Sequence, residues 1–144
     1  MTKKDINKYL EMKISNMSQK ELIVFLYESA VNLMEEARVT INDGDVPGTH
    51  QRLNRARNIF LHLLSTLDLE AGGDFAKKLS GLYSYFVEKI TMANSTKNVQ
   101  ELDDIIPIVN DIKEAWQDLK SDASQKNPPQ NSNAKNYQLI SMEV

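Results

Sequence analysis

The chain of 144 residues contains no cysteine, which excludes a disulfide framework, a thiolate metal site and a cysteine nucleophile together. Histidine is scarce as well, with only His50 and His62. They stand twelve positions apart on one expected helix, about 18 Å at the helical rise, too far to share a metal. The residues three before them are Pro47 and Ile59, so neither completes the Glu-x-x-His pair that di-iron helical bundles use. No cofactor and no metal site are expected. No apolar run approaches the ~20 residues of a membrane span, and the N-terminal basic residues are not followed by a run of signal-peptide length. The expected location is therefore the cytosol. Excess positive charge is missing too: the formal net charge is −3, which gives no electrostatic reason to expect a nucleic acid or a membrane as partner. The small cluster His50, Arg52, Arg55 and Arg57 reads as a solvated helix face.

What the chain does have is apolar residues at spacings of three and four. A chain of this length fits one domain that buries roughly 70% of its unfolded surface. Four segments carry the helical period, separated by capping and turn residues. The first runs from Ser18 to about Asn42, opened by Ser18-Gln19-Lys20-Glu21 as a capping box, with Leu22, Leu26, Ala30, Leu33, Ala37 and Ile41 as its stripe. The second opens near Asp45-Val46-Pro47 and carries Leu53, Ala56, Ile59, Phe60, Leu63, Leu64 and Leu67. Gly72-Gly73 is expected to break the chain after it, with Asp74 capping the third helix. That helix carries Phe75, Ala76, Leu79, Leu82, Tyr83, Phe86, Ile90 and Ala93. The fourth carries Val99, Leu102, Ile105, Ile106, Val109, Ile112, Trp116 and Leu119. Pro107 within it predicts a kink or short break near residues 103 to 106.

Short connections between such helices predict an all-α fold, an antiparallel up-down four-helix bundle. The expected organisation is an N-terminal capping segment over 1-17, the bundle over 18-120 and a tail over 121-144. Ile6, Tyr9, Leu10, Ile14 and Met17 give the first piece loose helical spacing. Ser121 to Lys135 is rich in Ser, Asn, Gln and Pro and is expected to be disordered, with an apolar end from Tyr137 to Val144.

The apolar inventory exceeds what one stripe per helix buries. Six consecutive apolar residues, Leu22 to Tyr27, surround the first turn of the first bundle helix. Val24 and Val31 lie beyond its main stripe, and Phe25 projects near the opposite edge. On the third helix Gly81, Tyr85 and Met92 fall on a face roughly opposite the core. Such surplus predicts a cover, either the N-terminal segment or a partner groove. Catalysis finds no candidates: the paired acids Glu35-Glu36 and Asp103-Asp104 lie on a solvated face, and no nucleophile has an adjacent base. The chain is not expected to be an enzyme. A reading from another class is a histidine phosphotransfer bundle using His62, although no small or basic residues follow His62 to receive a phosphate.

Leu26-Tyr27-Glu28-Ser29-Ala30, the run from Leu67-Asp68-Leu69 through Gly72-Gly73-Asp74-Phe75-Ala76, Leu82-Tyr83-Ser84-Tyr85, Ala93-Asn94 and Ala115-Trp116 together resemble the flagellar secretion chaperone FliS family. The similarity covers about residues 6 to 120. Gln19, Glu28, Ser29 and Lys113 depart from its usual pattern. The resemblance implies a cytoplasmic helical bundle that binds the C-terminal segment of flagellin, prevents premature polymerisation and delivers it to the flagellar type III export apparatus, with a co-chaperone as a possible further partner. It also implies that Tyr9 docks at a component of the export gate, with plain packing on the bundle as the alternative role for this residue. The candidate partner-binding residues are Tyr9 and Leu10 of the N-terminal segment, Ile23, Val24, Tyr27 and Val31 of the first bundle helix, Ile59 and Leu63 of the second, and Tyr85 and Met92 of the third. The segment from Ile6 to Met17 is expected to cover a client groove when the chaperone is empty.

Overall fold

Each helix starts where a side chain can accept the free N–H groups of a first turn. The computed structural model describes residues 2–119, the side chain of Ile14 excepted. They form five helices: α1 Lys3–Ser15, α2 Gln19–Asn42, α3 Val46–Thr66, α4 Leu69–Thr96 and α5 Gln100–Asp118, with no strand among the described residues. Ahead of α2 the expected capping box is formed, with the Ser18 N–H donating to Glu21 Oε1 at 3.2 Å and the Glu21 N–H donating to Ser18 Oγ at 3.1 Å. Thr2 and Asp5 make the same reciprocal pair ahead of α1. Asp45 accepts from the Gly48 N–H at 3.0 Å to start α3, and Asn98 accepts from the Gln100 N–H at 3.0 Å to start α5.

Two local expectations are corrected. The cap of α4 is Asp68, not Asp74: Asp68 Oδ1 accepts from the N–H groups of Glu70 and Ala71 at 3.1 and 3.0 Å. One turn follows before Gly73, at φ 57° and ψ −139°, interrupts the helical backbone. The Gly72-Gly73 break is thus a kink inside α4. The break expected at Pro107 is absent, and α5 runs through it as one helix. Pro107 is exposed, on the side where a carbonyl freed from its hydrogen bond can turn to water.

Contacts divide the chain into two compact units, one of Leu26–Lys113 and the other made of the chain up to Phe25 and from Glu114 onward. In the first, buried residues follow one another at alternating steps of three and four. On α3 they are Thr49, Leu53, Ala56, Phe60 and Leu63, and on α4 Ala76, Leu79, Tyr83, Phe86, Ile90 and Ala93. That mean period of 3.5 suits helices packed nearly antiparallel. Pairs along the helices fix the directions. Glu36 meets Arg52 at 3.1 Å and the hydroxyls of Thr40 and Thr49 lie 2.7 Å apart, so α2 and α3 are antiparallel. Phe60 stacks between Tyr83 and Phe86 while Asn94 donates to His50 Nδ1 at 2.9 Å, so α3 and α4 are antiparallel. Lys89 bridges Glu101 and Asp104, each at 3.1 Å, so the short connection over 97–99 folds α5 back against α4. The expected up-down helical bundle is the architecture found.

In the second unit, Leu22 and Val24 on the first turns of α2 are buried, and Lys20 Nζ donates to the Leu119 carbonyl. α1 leaves Ile6, Tyr9 and Met12 exposed. The expected tail over 121-144 lies outside the described residues.

Candidate partner-binding surface

The core stripe of α4 leaves the other side of the helix free to meet a partner. Gly81, Tyr85 and Met92 are all exposed there, Tyr85 at 36% and Met92 at 41%. Tyr85 is nonetheless held in place. Its ring lies 6.2 Å from that of Phe86, itself fully buried, and the Lys89 ammonium stands 5.8 Å from its centroid. Lys89 is fixed in turn by Glu101 and Asp104, and these hydrogen bonds, Asp104 first, hold its ammonium well above the usual lysine range. Gln100 donates to Asp104 Oδ1 at 2.9 Å, and this bond, followed by that from Lys89, keeps the Asp104 carboxyl below the usual range. An aromatic ring pre-ordered at a surface loses little freedom when a partner covers it.

The other candidates separate by burial. Ile23, Val31, Ile59 and Leu10 are half-buried, and Tyr9 is exposed at 61%. Tyr27 and Leu63, in contrast, are core residues at 0% and 3% exposure, and Val24 is buried at 9%. As the chain stands, these three offer no surface to a partner. Tyr27 is inward because its hydroxyl lies 2.6 Å from that of Tyr83 on α4, and burial pushes the Tyr83 phenol up from its usual range, with the Tyr27 bond opposing. Two residues assigned to core stripes turn outward instead: Phe75 is 61% exposed and Leu119 45%. Leu61, Val39 and Leu69 are exposed apolar residues that the sequence reading did not single out. For Phe75 a signal existed, since it breaks the strict three-four alternation that Ala76, Leu79 and Tyr83 keep.

Two members of the cationic cluster on α3 are engaged within the bundle: Arg52 donates to Glu36 and to the Gly48 carbonyl, and His50 bonds Asn94. No group of three or more His, Cys, Asp or Glu side chains able to hold a metal ion occurs among the described residues, and no helix there is long and apolar enough to cross a membrane.

His62 is half-buried, and its Nε2 is buried with no hydrogen-bond partner. A phosphoryl group there would place charge against a nitrogen with no access to water, which sets the phosphotransfer reading aside. Burial pushes the imidazole below its usual range. Protonation therefore opposes folding: this contribution is intact above about pH 6.5 and is lost as pH falls from there through the depressed value. The urea midpoint is expected to fall between pH 7 and pH 5, and His62→Gln to remove part of that fall. Equal pH profiles for the two proteins would contradict the assignment.

The model of the family described as flagellar protein FliS matches residues 2–123. Among curated relatives, the chain is 34% identical over 110 residues to the flagellar secretion chaperone FliS of Vibrio cholerae, covering 76% of this chain and 81% of that protein. It is 31% identical over 113 residues to the protein of the same name from Campylobacter jejuni, covering 78% and 88%. For that of Salmonella typhimurium identity is 31% over 116 residues, covering 80% and 86%. A match of this extent places the protein in the FliS family.

Proposed function

We propose that this chain is a cytoplasmic export chaperone that binds the C-terminal segment of flagellin, keeps it from polymerising early and delivers it to the flagellar export apparatus. The observation that carries the reading is the exposed face of Tyr85 and Met92 on α4, directly behind a fully occupied core stripe. Val31 on α2 and Ile59 on α3, both half-buried, are further apolar candidates for contact with a client. A segment that is disordered alone and folds as amphipathic helices suits such a surface, because its ordering entropy offsets part of the contact energy and keeps the complex reversible. Nothing in this role calls for bond-making chemistry. Tyr9, exposed on α1, is the residue assigned to docking at the export gate. Co-purification tests the client: flagellin with its C-terminal segment is expected to be retained and flagellin lacking it to be lost. Equal recovery of both forms would sink the proposed binding mode.

A further inference from the structure

Four of the five glycines answer to the geometry of their own chain. Gly44 and Gly73 hold φ of 74° and 57°, and a Cβ on Gly48 or Gly72 would stand 2.2 Å from the Asp45 carboxylate or 2.5 Å from Ala76 Cβ. Gly81 has neither reason. It lies in the interior of α4 with helical backbone, and a Cβ built on it meets nothing within 4 Å. Alanine there would make a more stable helix. What the glycine leaves is open space on the outer side of α4, where a second backbone can come close.

The surroundings say what that is. At 100° per residue, Gly81, Tyr85, Glu88 and Met92 share one face, all exposed. Lys77 and Lys78 precede them on the same helix, also exposed. Neither these lysines nor Glu88 makes a salt bridge or side-chain hydrogen bond among the described residues. The two cations and the anion are ten or eleven residues apart, about 16 Å along the helix. The face thus lacks a Cβ at Gly81, has uncompensated cations at its N-terminal end, and carries an uncompensated anion, Glu88, between the apolar Tyr85 and Met92.

We propose that Gly81 is the point of closest approach for the backbone of one helix of the flagellin C-terminal segment. That helix is amphipathic, sets a small side chain over Gly81, and carries an acidic residue toward Lys77 and Lys78 and a basic one toward Glu88. The inference rests on the client reading above. Removing the Cβ at the crossing lets the two helix axes approach more closely than side chains otherwise permit, and Tyr85 then packs along the flank of the bound helix.

The test uses full-length Gly81→Ala, Gly81→Leu and Glu88→Lys, with a peptide of the flagellin C-terminal segment from the same organism titrated calorimetrically into each. Gly81→Ala is expected to raise the Tm of the free protein by about 4 °C and to weaken peptide binding about 10-fold. Gly81→Leu is expected to weaken it about 100-fold, and Glu88→Lys about 5-fold with a lower salt dependence. A purely structural role for Gly81 moves stability and affinity in the same direction, so the opposed signs are the signature. Unchanged or tighter binding by Gly81→Ala and Gly81→Leu overturns the close approach while leaving the client intact. Failure of the wild-type protein to bind the peptide overturns the client reading itself.

Discussion

Phe60→Ala is expected to lower the unfolding free energy by about 3–5 kcal/mol. Phe60 is fully buried on α3, with its ring centroid 5.0 Å from Phe86 and 6.2 Å from Tyr83, both on α4. It is the side chain through which α3 grips α4. Truncation removes the transfer free energy of a ring and leaves a cavity whose walls are other rings and so cannot collapse easily. Domains of this kind have about 5–15 kcal/mol of stability in all, so the variant is expected near the threshold of unfolding. Urea titration followed by far-ultraviolet circular dichroism should show the midpoint falling with little change in slope. Phe60→Leu, which keeps most of the volume, should cost less than half as much. A loss under about 1 kcal/mol for Phe60→Ala would show that the ring is not at the centre of the bundle. Peptide binding by the folded fraction should weaken too, because Tyr85 takes its position from its neighbour Phe86.

The helices were legible because their signals are local. Ser18 and Glu21 announce a capping box across four residues, and the three-four spacing on α3 and α4 needs only one turn to be seen. The same locality explains the misses. Asp68 and Asp74 are both acidic residues ahead of an apolar period; Asp68 caps a first turn, and the non-helical backbone of Gly73 then separates that turn from the rest of α4. Pro107 removes a hydrogen bond from the helix interior, yet α5 continues through it without a break.

The candidate surface was legible in part, for a different reason. That Tyr85 and Met92 are exposed was legible because they stand opposite a complete core stripe, which sequence alone shows. Tyr27 and Leu63 are buried in the free chain, which the sequence did not show because an apolar letter does not say whether its cover comes from the same chain or another. For Tyr27 the deciding contact is a hydroxyl 56 positions away in sequence, beyond any local pattern. Phe75 erred the other way: its size suggested the core, while its place in the period pointed outward.

That hydroxyl contact carries the second large effect. Tyr27→Phe is expected to destabilise the bundle by about 1–3 kcal/mol, because the Tyr83 hydroxyl stays buried after losing the bond it makes at 2.6 Å. The cost comes from an unsatisfied polar atom, not from lost volume, so deleting both hydroxyls should cost less than the two single deletions together. Tyr27→Phe combined with Tyr83→Phe is accordingly expected to recover most of the stability. The pH dependence gives an independent check. Burial holds the Tyr83 phenol above its usual range, so its contribution is fully present below about pH 10 and is lost as pH rises through the elevated value. The wild-type midpoint should therefore fall in alkali, and Tyr83→Phe should flatten that fall. The pair ties α2 to α4 one turn before Val31 on α2 and two residues before Tyr85 on α4. A strictly additive double-mutant cycle would mean that the two hydroxyls do not sense each other, and the pin between α2 and α4 would then rest on ring packing alone.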